Sequence, residues 1–230
     1  SVVIDGSKLQ LHVIFSDELS CEVIEQSFIN VLKLSTPDPN NNYTLTKENV
    51  ERIGQDSINR GVAGTGSALK VGANAITVKL ENIKQLLDDS KFRDKAIIVL
   101  AEEDQSSIEW DGQAGLERAK YYQYSDAIFT SNNKTMKWCR SKDCKDIICK
   151  QLASLWGSDA HEYDKMFSFD KNRKLWIKAD VTFDGLLYAL YRFQNRIYIG
   201  KEPDELKKVK KRQYYTIKEL SINPNKTKIS

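Results

Sequence analysis

Residues 95–104 read Lys-Ala-Ile-Ile-Val-Leu-Ala-Glu-Glu-Asp, and residues 124–133 read Tyr-Ser-Asp-Ala-Ile-Phe-Thr-Ser-Asn-Asn. Each holds a short apolar run closed by polar residues, the pattern of a strand buried on both faces. The stretch between them, 113–124, has a helical pattern, so strand, helix and strand follow one another. That order belongs to a parallel sheet with helices packed on it. The chain is therefore read as α/β, three-layer, with a mostly parallel central sheet and helices on both faces.

Working outward, Val2-Val3-Ile4 is a β-branched run stopping at the turn residues Asp5-Gly6-Ser7, and Leu9 to Phe15 alternates as a second strand. Ser16-Asp17-Glu18 reads as a helix start, with Leu19, Val23, Phe28, Val31 and Leu32 on its apolar side. Residues 35–45 carry two prolines and three consecutive asparagines and read as a loop. Thr46 is placed to cap a helix over 47–59; a short strand at 75–78 and a helix over 80–89 follow. Residues 142–156 read as one amphipathic helix with Ile147, Ile148, Leu152 and Leu155 inward. The stretches 175–181, 186–193 and 196–199 fit either three strands, with Asn195 in a tight turn, or two strands around a helix. This tail is read as a C-terminal mixed α/β extension, residues 171–230, on a main domain over 1–170 with an insertion at about 35–93.

A chain of 230 residues with 40% hydrophobic and 29% charged residues has the balance of one folded, soluble domain. Its apolar runs are far too short to span a bilayer, and no leader is expected at Ser1. The four cysteines show no secreted disulfide framework, so an intracellular, cytoplasmic setting is expected. Cys139, Cys144 and Cys149 with His161 offer zinc-type donors, but their spacing of five lacks the close pairing of structural zinc sites. Buried reduced thiols are the better reading.

In an open parallel sheet, ligands gather beyond the carboxyl ends of the strands. By that rule Asp5, Glu102-Glu103-Asp104 and Asn132-Asn133 end three strands, while Asp111 and Glu117 lie near the start of the intervening helix. Converging carboxylates suit Mg²⁺ or Mn²⁺, although acids near helix N-termini also serve as plain caps. The lysines of 201–212 suit phosphate contact, yet a solvated helix face explains them as well. Gly61, Gly64 and Gly66 lack the Gly-Lys-Ser/Thr that a phosphate-cradling loop requires, and His12 and His161 stand beside no nucleophile motif. Tyr121, Tyr122 and Tyr124 offer stacking surfaces, but packing against the sheet accounts for them better.

Three segments, in this order, resemble a known family. Val2-Val3-Ile4-Asp5-Gly6-Ser7 resembles the opening strand of NYN/PIN-like ribonuclease domains of the Regnase type. Residues 124–133 resemble the family's later helix-to-strand segment, and Met166-Phe167-Ser168-Phe169 with Lys174-Leu175-Trp176 resembles the stretch that closes its domain. The resemblance implies a PIN-like, metal-dependent endoribonuclease that cleaves single-stranded RNA. It implies Asp5 and Asp111 as ligands for Mg²⁺ or Mn²⁺, Glu117 as an auxiliary acid, and Asn133 positioning water. Lys134, Lys137, Lys207, Lys208, Lys210, Lys211 and Arg212 would contact RNA phosphates. The chain departs from the family at Lys8, where Asn is usual, at Asn133, where the family has Asp, and at Ala114-Gly115, where it has an acidic pair. Those departures set out the alternative of a catalytically degenerate domain binding RNA or a protein partner within a larger protein.

Overall fold

The computed structural model describes residues 2–3, 9–35, 42–62, 66–102, 105–157, 162–165 and 174–211. Asp5, Glu103, Asp104, His161 and Arg212 lie outside the described residues, as does the middle of the 61–66 glycine loop.

A five-stranded sheet runs in chain order: β1 (Val2–Val3), β2 (Gln10–Phe15), β3 (Ala96–Ala101), β4 (Ala127–Phe129) and β5 (Ala153–Leu155). β3, β4 and β5 are parallel neighbours, whereas β2 is antiparallel to both β1 and β3. The sheet is therefore mixed, and the expectation of a mostly parallel one needs correcting at β2. For the β1–β2 pair the reason is length. The few residues between β1 and β2 cannot make the crossover of a dozen or more that a parallel pair requires.

Each later parallel pairing has its helical crossover. α5 (Gln113–Tyr124) joins β3 to β4, while α6 (Asn133–Cys139) and α7 (Lys142–Ile148) join β4 to β5. The long connection from β2 to β3 carries α1 (Cys21–Ile24), which continues as a π-helical turn over Glu25–Ile29, then α2 (Lys47–Asn59), α3 (Ala68–Ala75) and α4 (Leu80–Leu87). Thr46 caps α2 as expected, accepting from the Asn49 amide at 3.3 Å, whereas Ser67, accepting from that of Lys70 at 3.4 Å, caps a helix that the glycine-rich spacing of 61–72 did not announce. The first helix begins later than expected, at Cys21 with Ser20 as its cap, while Ser16 stays with the sheet, its amide donating to the Lys95 carbonyl at 2.9 Å. The strand expected at 75–78 is reduced to isolated bridging at Thr77, which pairs with Ser35, and at Val78. α2 and α3 touch backbone to backbone. A Cβ on Gly54 would lie 1.8 Å from the Ala68 carbonyl oxygen, and one on Gly72 would lie 1.9 Å from that of Val50. Only glycine permits that approach.

The helix expected over 142–156 is two elements. α7 stops at Cys149, whose φ of 62° is left-handed, and the apolar residues beyond it become β5. Pairing of Ala153, Ser154 and Leu155 with Ala127, Ile128 and Phe129 overrides the helical spacing. In the last stretch the alternative of two strands around helix is the one formed. β6 (Lys174–Ile177) and β7 (Ile197–Gly200) pair antiparallel, with α8 (Phe183–Tyr191) and α9 (Phe193–Arg196) between them. Asn195 lies within α9 rather than in a turn, and α10 (Asp204–Lys211) follows.

Alternation along the strands sends side chains to two cores. Leu11, Ile98, Leu100 and Ile128 meet Phe28, Leu32, Ile83, Phe92, Tyr122, Cys139 and Ile148 on one face. Ile97, Val99, Ala127, Ala153 and Leu155 meet Ala189, Leu190, Phe193 and Ile197 on the other. No described helix is long and apolar enough to cross a membrane.

Candidate functional site at the carboxyl-end edge of the sheet

The register fixes which residues share an edge. Val3 pairs with Gln10, Gln10 with Ala101, Ala101 with Phe129, and Phe129 with Leu155. The carboxyl ends of β1, β3, β4 and β5 therefore lie along one side, where the loops after them begin. Asp5 follows β1 by two residues in sequence but is itself outside the described residues.

Glu102 continues β3 at this edge. Its amide donates to the Phe129 carbonyl at 3.0 Å, which holds the residue beside β4. Its side chain is only 6% exposed, and the Arg118 guanidinium on α5 donates to Oε2 from Nη2 at 2.6 Å and from Nε at 3.2 Å. A carboxylate taken out of water requires such a partner, since an isolated buried charge costs several kcal/mol, roughly. Burial and the neighbouring Glu102 carboxylate together push the Tyr122 phenol far above its ordinary range. Tyr122 stands edge-on to Trp110 and to Trp138 of α6, whose rings stack 5.1 Å apart.

The loop after β4 is ordered by short polar bonds. The Asn132 amide donates to Thr130 Oγ1 at 3.2 Å, and Asn132 Oδ1 caps α6 by accepting from the Lys134 amide at 2.8 Å. Thr135, fully buried on α6, accepts from the Gln105 amide at 3.4 Å and ties the loop after β3 to that helix. On the opposite face of the sheet, the His12 ring lies edge-on to Phe129 at 5.3 Å, and burial pulls its pKa down.

The expected site residues fall as follows. Asp111 is exposed in the turn before α5, and Glu117 is exposed on α5, where it accepts from Lys120 at 2.7 Å. Asn133 is the exposed first residue of α6, with Lys134 and Lys137 exposed on the same helix. Among the described residues, no three His, Cys, Asp or Glu side chains gather closely enough to hold a metal ion. Of the basic run, Lys207 is paired with Asp204 at 2.8 Å and Lys210 with Glu202, while Lys208 and Lys211 are exposed. α10 lies beyond β7 rather than in any loop following β1, β3, β4 or β5.

The cysteines behave as thiols. Cys139 on α6 and Cys144 on α7 are buried, and burial pushes them up to about 11 and about 12 respectively. The expectation of a buried thiol fails at Cys149, which is exposed because it sits at the left-handed end of α7. Tyr122 is fully buried, and Tyr121 and Tyr124 pack against the same core, as the packing reading expects.

Sequence reasoning named Glu102 as a strand-end acid but not its partner. Arg118 lies 16 residues on, and only the fold of α5 against β3 brings the two together. The available signal was an arginine one turn beyond Gly115 on a helix returning over an acidic strand end.

No family model, no curated protein and no solved structure matches this chain.

Proposed function

We propose that the chain is a PIN-like domain that binds single-stranded RNA at the carboxyl-end edge of its sheet and cleaves it poorly. One observation carries the reading: the buried carboxylate at the end of β3 is engaged by Arg118 instead of facing a cation site. The donor set among the described residues fits a divalent ion badly, since Glu102 and Glu117 are each paired to a cationic side chain. Asn133 offers only a neutral amide where a charged oxygen would hold the ion. Exposed Lys134 and Lys137 on α6 supply charge for a phosphate backbone at that edge.

A second reading, a metal-dependent endoribonuclease, is favoured by the shared edge of β1, β3 and β4. It gives Mg²⁺ or Mn²⁺ to Asp5 and Asp111, with Glu117 as the auxiliary acid and Asn133 orienting water.

End-labelled single-stranded RNA, incubated with Mn²⁺ and either the parent protein or Asp5→Asn, separates the two. Binding with equal, slow turnover in both proteins supports the first. Turnover that depends on Mn²⁺ and disappears in Asp5→Asn selects the second. Absence of RNA binding in either protein sinks both.

A further inference from the structure

Charge is unevenly divided along the chain. Residues 1–173 hold 22 Lys and Arg against 26 Asp and Glu, whereas 174–211 hold nine against five. The positive excess thus begins at β6, and this same stretch exposes large aromatic rings. Tyr188 is 50% exposed, Tyr191 is 76% exposed and Tyr198 is 46% exposed. Tyr188 and Tyr191 are three apart on α8, so they share its outer face, while Ala189, Leu190 and Phe193 turn inward to the sheet.

Guanidinium groups accompany these rings. Arg196 sits 4.4 Å from the Tyr188 ring centre and Arg192 sits 5.3 Å from that of Tyr191. The Arg196 Nη1 also donates to the Lys178 carbonyl at 2.6 Å, which fixes its plane. Neither arginine has an ion-pair partner among the described residues. Exposed rings beside uncompensated guanidinium groups serve two features of a single strand at once, its base faces and its phosphates. Rings that only filled a core would be buried, as Tyr122 is.

We propose that Tyr188, Tyr191, Arg192 and Arg196 form a stacking surface for single-stranded RNA, with Tyr198 extending it toward α10. Bases stack on the tyrosine and guanidinium planes, and the arginines neutralise phosphates. The inference rests on the RNA-binding reading above but assigns it a second surface, separate from the carboxyl-end edge.

The test is fluorescence anisotropy of a labelled uridine 20-mer with the full chain across a salt series. Tyr191→Ala and Arg192→Gln should each weaken binding about tenfold, and Tyr191→Phe should restore parental affinity. Arg192→Gln should also lower the slope of log affinity against log salt by roughly 0.7. All of these positions are exposed, so an unchanged melting curve shows that the fold is intact. Parental binding with both variants within twofold would overturn this surface while leaving the RNA reading standing. No binding by the parent would overturn both. Equal affinity for a polyglutamate peptide, lost in the same variants, would also overturn it, by marking a surface for acidic protein.

Discussion

The two faces of the sheet are built from alternate residues of the same strands, yet they are covered very differently. One face lies under the long β2–β3 connection and the crossover helices, with the Phe15, Phe28 and Phe92 rings clustered and Tyr122 against Trp110 and Trp138. Even acidic and thiol groups are buried there: Glu102, paired to the half-buried Arg118, and Cys139 and Cys144. The other face is closed by α8 and α9, and the outer side of that thin cover presents tyrosines and arginines to solvent. A thick cover spends its chemistry on stability. A thin one leaves chemistry on the outside, and there recognition has room to act.

The largest break in this contrast should come from Tyr122→Ala. Emptying a fully buried ring site costs about 4 kcal/mol, read as a shift in urea midpoint. Glu102→Ala comes next. It leaves the half-buried Arg118 without its partner, and a loss of about 2–3 kcal/mol is expected once the guanidinium's partial solvation is allowed for. Gly72→Ala should cost a similar ~2 kcal/mol by forcing α3 off the Val50 carbonyl, which would show the β2–β3 connection to be part of the cooperative unit.

A smaller effect concerns Asp126. Its carboxylate accepts from the Ile98 amide at 2.8 Å, but burial outweighs that bond and raises its pKa above the ordinary 3.8. The folded state therefore keeps this proton to higher pH than the unfolded chain does, so stability falls as pH rises through that window. Asp126→Asn keeps an acceptor for Ile98, and its stability curve against pH should be flatter there and higher by ~0.5–1 kcal/mol at pH 7. Lys150, whose pKa burial lowers, acts in the opposite sense: its contribution is lost as pH falls.

The smallest effect marks the other side of the comparison. Tyr191→Ala should change stability by less than about 0.5 kcal/mol, since its ring is mostly in water. A loss near that of Tyr122→Ala would show that the outer tyrosines are structural and remove the contrast.

Much of the local structure was legible in the residues. The β-branched and apolar runs at 96–101 and 126–131, the Thr46 cap and the helix over 113–124 all depend on neighbours close in sequence. Of the candidate site, the shared edge was legible through strand order, whereas the state of its acids was not. Nothing local says that Glu102 meets Arg118 or that Glu117 is held by Lys120.

The stretch 142–156 draws the boundary most sharply. Its apolar spacing suits a helix, and a helix does form as far as Ile148. Beyond the left-handed Cys149, hydrogen bonds to β4 claim the chain for the sheet. The sequence by itself determined which segments are apolar, where helices can start, and that strands and helices alternate, because those follow from side chains a few residues apart. The tertiary structure alone decided strand partners, the burial of Glu102 and the exposure of Tyr188 and Tyr191, because these depend on which distant surface each face meets.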